Sequence, residues 1–120
     1  MKSRFLVIED DPLVAMMLED YLDALGHQTL GVIDNVAAAL ARIEAGGVDA
    51  AILDVHLANG ETAEPVATAL SARGIKFMIA TGGFIAPPDS AFAGQTVLLK
   101  PFSISSLESA LDEIAKAPDS

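Results

Sequence analysis

Ala51-Ile52-Leu53-Asp54-Val55-His56 is the stretch on which the reading of this chain turns. Three apolar residues with no polar residue among them, bounded by turn signals, predict a strand buried on both faces. An acid at the end of such a strand falls where ligands bind in open α/β sheets, outside the carboxyl ends of the strands. The same grammar recurs near the start, where Phe5-Leu6-Val7-Ile8 runs into Glu9-Asp10-Asp11. Two buried strands that both end in carboxylates are poorly explained by stability alone.

Working outward, strand and helix signals alternate five times. The first strand covers Arg4 to Ile8, and Asp11-Pro12 then supplies an N-cap acid with proline at the first helical position. Val14, Leu18, Tyr21, Leu22 and Leu25 share one face of that helix, which Gly26 ends. A weaker strand over His27 to Ile33 precedes a helix capped by Asp34 or Asn35, carrying Val36, Leu40 and Ile43 and stopped at Gly46-Gly47. The third strand, Asp49 to Leu53, leads into a loop from Asp54 to Glu61 and a helix with Val66 and Leu70, Pro65 in its first turn and Gly74 beyond its end. Ile75 to Ala80 and Thr96 to Leu99 are the fourth and fifth strands. Between them, Phe84 to Gly94 holds Pro87-Pro88 and little helix signal, so at most a short or irregular fourth helix is expected. Ser103 caps a last helix with Ile104, Leu107, Leu111 and Ile114 inward, and Ala117 to Ser120 reads as a frayed tail. The fold class is α/β: a five-stranded parallel sheet with helices on both faces, for which the flavodoxin-like order 2-1-3-4-5 suits the length.

The composition bounds the function. At 120 residues, 52% hydrophobic and 20% charged, the chain is expected to form a single globular domain. Seventeen acids against seven bases give a net charge of −10, which disfavours nucleic acid as a partner. No apolar run is long enough for a membrane span, and Met1-Lys2-Ser3-Arg4 leads straight into a strand, so a cytoplasmic protein without a signal peptide is expected. The absence of cysteine removes disulfides and thiolate metal sites.

In such a fold the loops after strands one, three, four and five open on one edge. They bring together Glu9, Asp10 and Asp11, then Asp54, Thr81 and Lys100. Converging carboxylates repel one another unless a cation intervenes. Mg²⁺ suits a donor set of carboxylates without sulfur or obligatory imidazole, and it leaves room for phosphate oxygens. Asp54 then reads as a nucleophile toward phosphorus, Lys100 as the neutralising charge and the Thr81 hydroxyl as a donor to a phosphoryl oxygen. Asp11 reads as a helix cap rather than a ligand.

Four motifs carry a resemblance over nearly the whole chain: Val7-Ile8-Glu9-Asp10-Asp11-Pro12, Leu53-Asp54 with Gly60 six residues on, Ala80-Thr81-Gly82, and Lys100-Pro101-Phe102. In this order the chain resembles the response-regulator receiver domains of two-component signalling. The resemblance implies Glu9 and Asp10 as the acidic metal pair, Asp54 as the phosphoacceptor and His56 as the residue offering its backbone carbonyl to the metal. It implies Thr81 as the switch hydroxyl and a cis peptide between Lys100 and Pro101. It further implies a histidine kinase or phosphotransfer protein as phosphodonor, a downstream protein target, and a monomer or weak homodimer that catalyses only its own phosphorylation and dephosphorylation. Three features depart from the common pattern: Ala58-Asn59-Gly60 lies where a proline is usual, Val97 stands in place of an aromatic residue, and the fourth helix looks shortened. Ile79-Ala80-Thr81-Gly82-Gly83-Phe84 is similar to the Phe-Ala-Thr-Gly-x-Tyr variant of the family, with Phe84 either a core residue or a substitute switch aromatic. The alternative function is a receiver-like protein-binding module that works without phosphorylation.

Overall fold

The computed structural model describes residues 3–83 and 90–116. The strands β1 (Arg4–Ile8), β2 (Gln28–Ile33), β3 (Ala50–Asp54), β4 (Lys76–Thr81) and β5 (Thr96–Leu99) form one sheet in the order β2-β1-β3-β4-β5. All four pairings are parallel, as the alternation of strands and helices requires. The helices are α1 (Pro12–Ala24), α2 (Val36–Glu44), α3 (Glu64–Ala72) and α4 (Ile104–Lys116), with a single 3₁₀ turn at Ala58–Gly60.

Alternate side chains of each strand feed two separate cores, because successive residues point to opposite faces. Leu6, Ile8, Ala51, Leu53, Phe77 and Ile79 pack under α2 and α3. Phe5, Val7, Ala50, Ile52, Met78, Ala80 and Leu98 pack under α1 and α4. Leu6, Ile8, Ile52 and Leu53 are essentially sealed from water, each contributing about 1.5–3 kcal/mol of burial free energy.

Local chemistry explains where the elements stop. The Asp11 carboxylate accepts from the amides of Leu13 (2.9 Å) and Val14 (3.4 Å), which makes it the N-cap of α1. Gly26, at φ 88°, closes the same helix: its amide donates to Asp23 O and that of His27 to Leu22 O. Gly74 ends α3 in the same way, with Ile75 donating to Leu70 O. Asn35, not Asp34, caps α2, accepting from the Ala38 amide at 2.9 Å. Ser103 and Ser106 cap α4 reciprocally, each hydroxyl accepting from the other residue's amide.

Two expectations are corrected. Ala39, not Leu40, is the buried residue of α2 beside Ile43, a methyl that lets the helix lie close on the sheet, while Leu40 is only half-buried. Ile104 is 37% exposed, since it begins α4 and its first turn overhangs the core that Leu107, Ala110, Leu111 and Ile114 enter. The loop after β3 is more buried than a plain connection, with Val55, Leu57 and Ala63 in the core. Between β4 and β5, the described residues form two successive turns, with Ala93 donating to Ser90 O and Gln95 to Phe92 O, and Phe92 buried. Phe84, the rest of the expected short helix and the tail from Ala117 lie outside the described residues.

Candidate functional site

Each side chain of the site is aimed by the sheet's own backbone. The Glu9 amide donates to Ile33 O at 2.9 Å, which continues the β1–β2 ladder one residue past β1 and pins the acid at its end. Asp54 is the last residue of β3, in register with Ala80 of β4. The Lys100 amide donates to Thr81 O at 2.9 Å, so the ends of β4 and β5 are tied at the residues that carry the hydroxyl and the ammonium. The peptide between Lys100 and Pro101 is cis.

These backbones bring the side chains together. Lys100 Nζ lies 2.9 Å from Glu9 Oε1 and 3.3 Å from Asp54 Oδ2. Its contact with Asp54 meets hydrogen-bond geometry, while its contact with Glu9 is an ion pair, and among the described residues the buried Oε1 has no further hydrogen-bond partner. The other Glu9 oxygen accepts from the Asp11 amide at 3.2 Å. Glu9 is 2% exposed, Asp10 open to solvent, and Asp54 in between. One oxygen from each of Glu9, Asp10 and Asp54 falls within a span of 4.8 Å. Asp11 is engaged as the α1 cap and is not in this group. Thr81 is buried at the end of β4, and His56 is exposed, its backbone bridged to Thr62.

The electrostatics follow from the burial. Desolvation, and then the neighbouring Asp54 carboxyl, push the Glu9 pKa up to about 7, against the opposing pull of Lys100 and the Asp11 amide. Burial pulls Lys100 down, but the Glu9 and Asp54 carboxylates more than reverse it, so the ammonium titrates above its usual range. One lysine pairs with two of the three acids, and burial is the main reason that Glu9 is pushed up to about 7. A hard divalent cation fits this set: oxygen donors from two strand ends, one of them a buried carboxylate oxygen whose sole partner among the described residues is the Lys100 ammonium, and no cysteine.

Every site residue named from the sequence lies at the same end of the sheet; side-chain contacts join Glu9, Asp10, Asp54 and Lys100, and Thr81 is tied to Lys100 through its backbone carbonyl. One participant in the surrounding frame escaped the sequence reading. Glu61 Oε1 accepts from the Val36 amide at 3.1 Å, across 25 residues of chain. No local pattern announces such a contact; the apolar Val55 and Leu57 on either side of His56 could have signalled only that the loop folds inward.

No family model matches the chain, and no curated protein is a significant match. Solved structures do match. The solution structure of SdrG from Sphingomonas melonis Fr1 shares 50% identity and a TM-score of 0.84, covering 94% of this chain and 96% of that one. The BeF3-activated conformation of SdrG from Pseudomonas melonis Fr1, also 50% identical, has a TM-score of 0.78 over 91% and 92% of the two chains. Two more distant structures show the same fold. The receiver domain of the sensor histidine kinase PA1611 from Pseudomonas aeruginosa PAO1, solved with magnesium coordinated in its active site cleft, has 21% identity and a TM-score of 0.80 over 97% and 100% of the chains. The REC domain of the response regulator PhyR from Erythrobacter litoralis has 22% identity and a TM-score of 0.80 over 99% and 96%. With 50% identity to SdrG over 94% of its length, and its acids and lysine gathered at one rim of a 2-1-3-4-5 sheet, the chain belongs to the response-regulator receiver domains of two-component signalling.

Proposed function

We propose that Asp54 is the residue phosphorylated, that Glu9, Asp10 and Asp54 hold a Mg²⁺ ion together with the His56 carbonyl, and that Thr81 and Lys100 receive the phosphoryl oxygens. The observation that carries this reading is the contact of one ammonium with both Glu9 and Asp54 beside an exposed Asp10. The existence of a BeF3-activated SdrG supports it. When bound, Mg²⁺ supplies charge neutralisation at the phosphoryl oxygens. The chain's own residues do the rest. An Asp54 oxygen forms the bond to phosphorus while the donor's bond to phosphorus breaks, and the leaving group departs with the electron pair. Lys100, already hydrogen-bonded to Asp54, neutralises the transferred group. The buried Thr81 hydroxyl donates to a phosphoryl oxygen, which ties the end of β4 to the modified site.

The donor on this reading is a histidine kinase or phosphotransfer protein, and the output is contact with a downstream protein. The domain turns over nothing but its own acyl phosphate. Incubation with Mg²⁺ and a small acyl phosphate tests the assignment: intact mass rises by one phosphoryl group, and Asp54→Asn abolishes the gain. Absence of the gain in the wild type, or its survival in the variant, would favour the phosphorylation-independent binding module.

A further inference from the structure

The loop that follows Asp54 is held at both ends but only lightly along its side. Leu57 is buried, its amide donates to Glu61 O at 2.8 Å, and the His56–Thr62 bridge and the Ala63 amide on Val55 O close the base. The flank of the loop faces the start of α2. Two bonds among the described residues cross that gap: the Ala58 amide to Asp34 O at 3.3 Å, and the Val36 amide to Glu61 Oε1 at 3.1 Å. The second is the shorter and is charge-assisted, a carboxylate on a first-turn helix amide that is unsatisfied within the helix itself. Asn35 already caps α2 through Ala38, so Glu61 is a second, external acceptor for that helix start. Glu61 is exposed and stands outside the group of acids whose oxygens could share a cation.

We infer that Glu61 is a positioning residue for the metal centre: by accepting the Val36 amide it clamps the loop carrying His56 against α2, so that the His56 backbone is in place before the cation arrives. The inference rests on the proposed site, in which the His56 carbonyl is a ligand. The bridge to Thr62 fixes His56 at the base of its loop, and Glu61 adds a sideways anchor for the same loop. Because Glu61 bonds no ligand directly, its loss should weaken binding by less than the roughly tenfold seen when a partner bonded to a ligand is removed. The clamp joins the loop after Asp54 to the start of α2, where Asp34 and Asn35 line one hollow with Glu9 and Asp10.

The test is a MgCl₂ titration of the full chain, followed by backbone amide NMR shifts, on wild type, Glu61→Ala, Glu61→Gln and Asn35→Ala. Glutamine keeps the acceptor and removes the charge. Glu61→Ala is expected to weaken Mg²⁺ binding severalfold, less than the roughly tenfold loss caused by removing a group bonded to a ligand, with Glu61→Gln close to wild type. Asn35→Ala strips the other α2 cap and is expected to lower Tm while leaving Mg²⁺ affinity unchanged. Equal affinity in Glu61→Ala and wild type overturns the clamp. So does an equal loss in the alanine and glutamine variants, which would make the effect one of charge alone, or an equal loss in Asn35→Ala, which would make it one of helix stability. Failure of the wild type itself to bind Mg²⁺ would instead overturn the site from which the inference starts.

Discussion

Raising the pH of metal-free protein is expected to destabilise it through one side chain. Glu9 titrates at about 7 in the folded chain against 4.5 when unperturbed. Between those values the folded state holds a proton that the unfolded state has released. Stability from this group is therefore fully present below about pH 4.5 and is lost as pH rises through about 7. At roughly 1.4 kcal/mol per unit, the loss is on the order of 3 kcal/mol, an upper bound because the acid sits beside two other charges. In a domain of this length that corresponds to a fall in Tm of about 10 °C. The assay is far-UV circular dichroism melting from pH 5 to pH 8 in a chelator, for wild type and Glu9→Gln. Glutamine cannot ionise, so its curve contains every other titration and lacks this one, and the difference isolates Glu9. Saturating Mg²⁺ displaces the proton and is expected to flatten the wild-type curve. The same fall in wild type and Glu9→Gln, or no effect of Mg²⁺ on the wild-type slope, refutes the reasoning.

Other outcomes follow from the same contacts. Asp54→Asn removes one of the charges that raise Glu9 and should increase metal-free Tm at pH 8; an unchanged Tm would mean the two acids are not in conflict. Lys100→Met leaves Glu9 and Asp54 facing each other without a counter-charge, so it should lower metal-free stability at pH 8 and slow phosphoryl uptake from a small acyl phosphate, read by melting and by intact mass. Asp11→Ala loses a helix cap, a cost of about 1 kcal/mol in a urea titration, with no change in Mg²⁺ affinity if Asp11 is a cap and not a ligand. Ile43→Ala opens a cavity between α2 and the sheet and should cost about 2–5 kcal/mol by the same titration.

What could be read in advance was whatever is local or periodic. Apolar runs ending in acids located β1 and β3, and Asp11-Pro12 and Ser103 marked helix starts whose hydrogen bonds appear as expected. The convergence of Glu9, Asp54 and Lys100 follows from topology, because parallel strands place all their carboxyl ends at one rim. The misses have one cause: they depend on distances between elements. Leu40 and Ala39 fit the period of α2 almost equally, and the closeness of helix to sheet selects the smaller residue. Which of Glu9 and Asp10 is buried depends on how the chain leaves β1, with the Glu9 amide still in the ladder and Asp10 already beyond it. Glu61 meets Val36 only because two separate loops share one edge.

The carbonyl of Ile33 that receives the Glu9 amide, and that of Thr81 that receives the Lys100 amide, belong to the peptide scaffold and are blind to side-chain identity. Chemical function and architecture are thereby uncoupled at this rim. The reactive groups hang from anchor points that would survive their replacement, so new reactivity could be grafted here by exchanging a few termini of strands without redesigning what supports them.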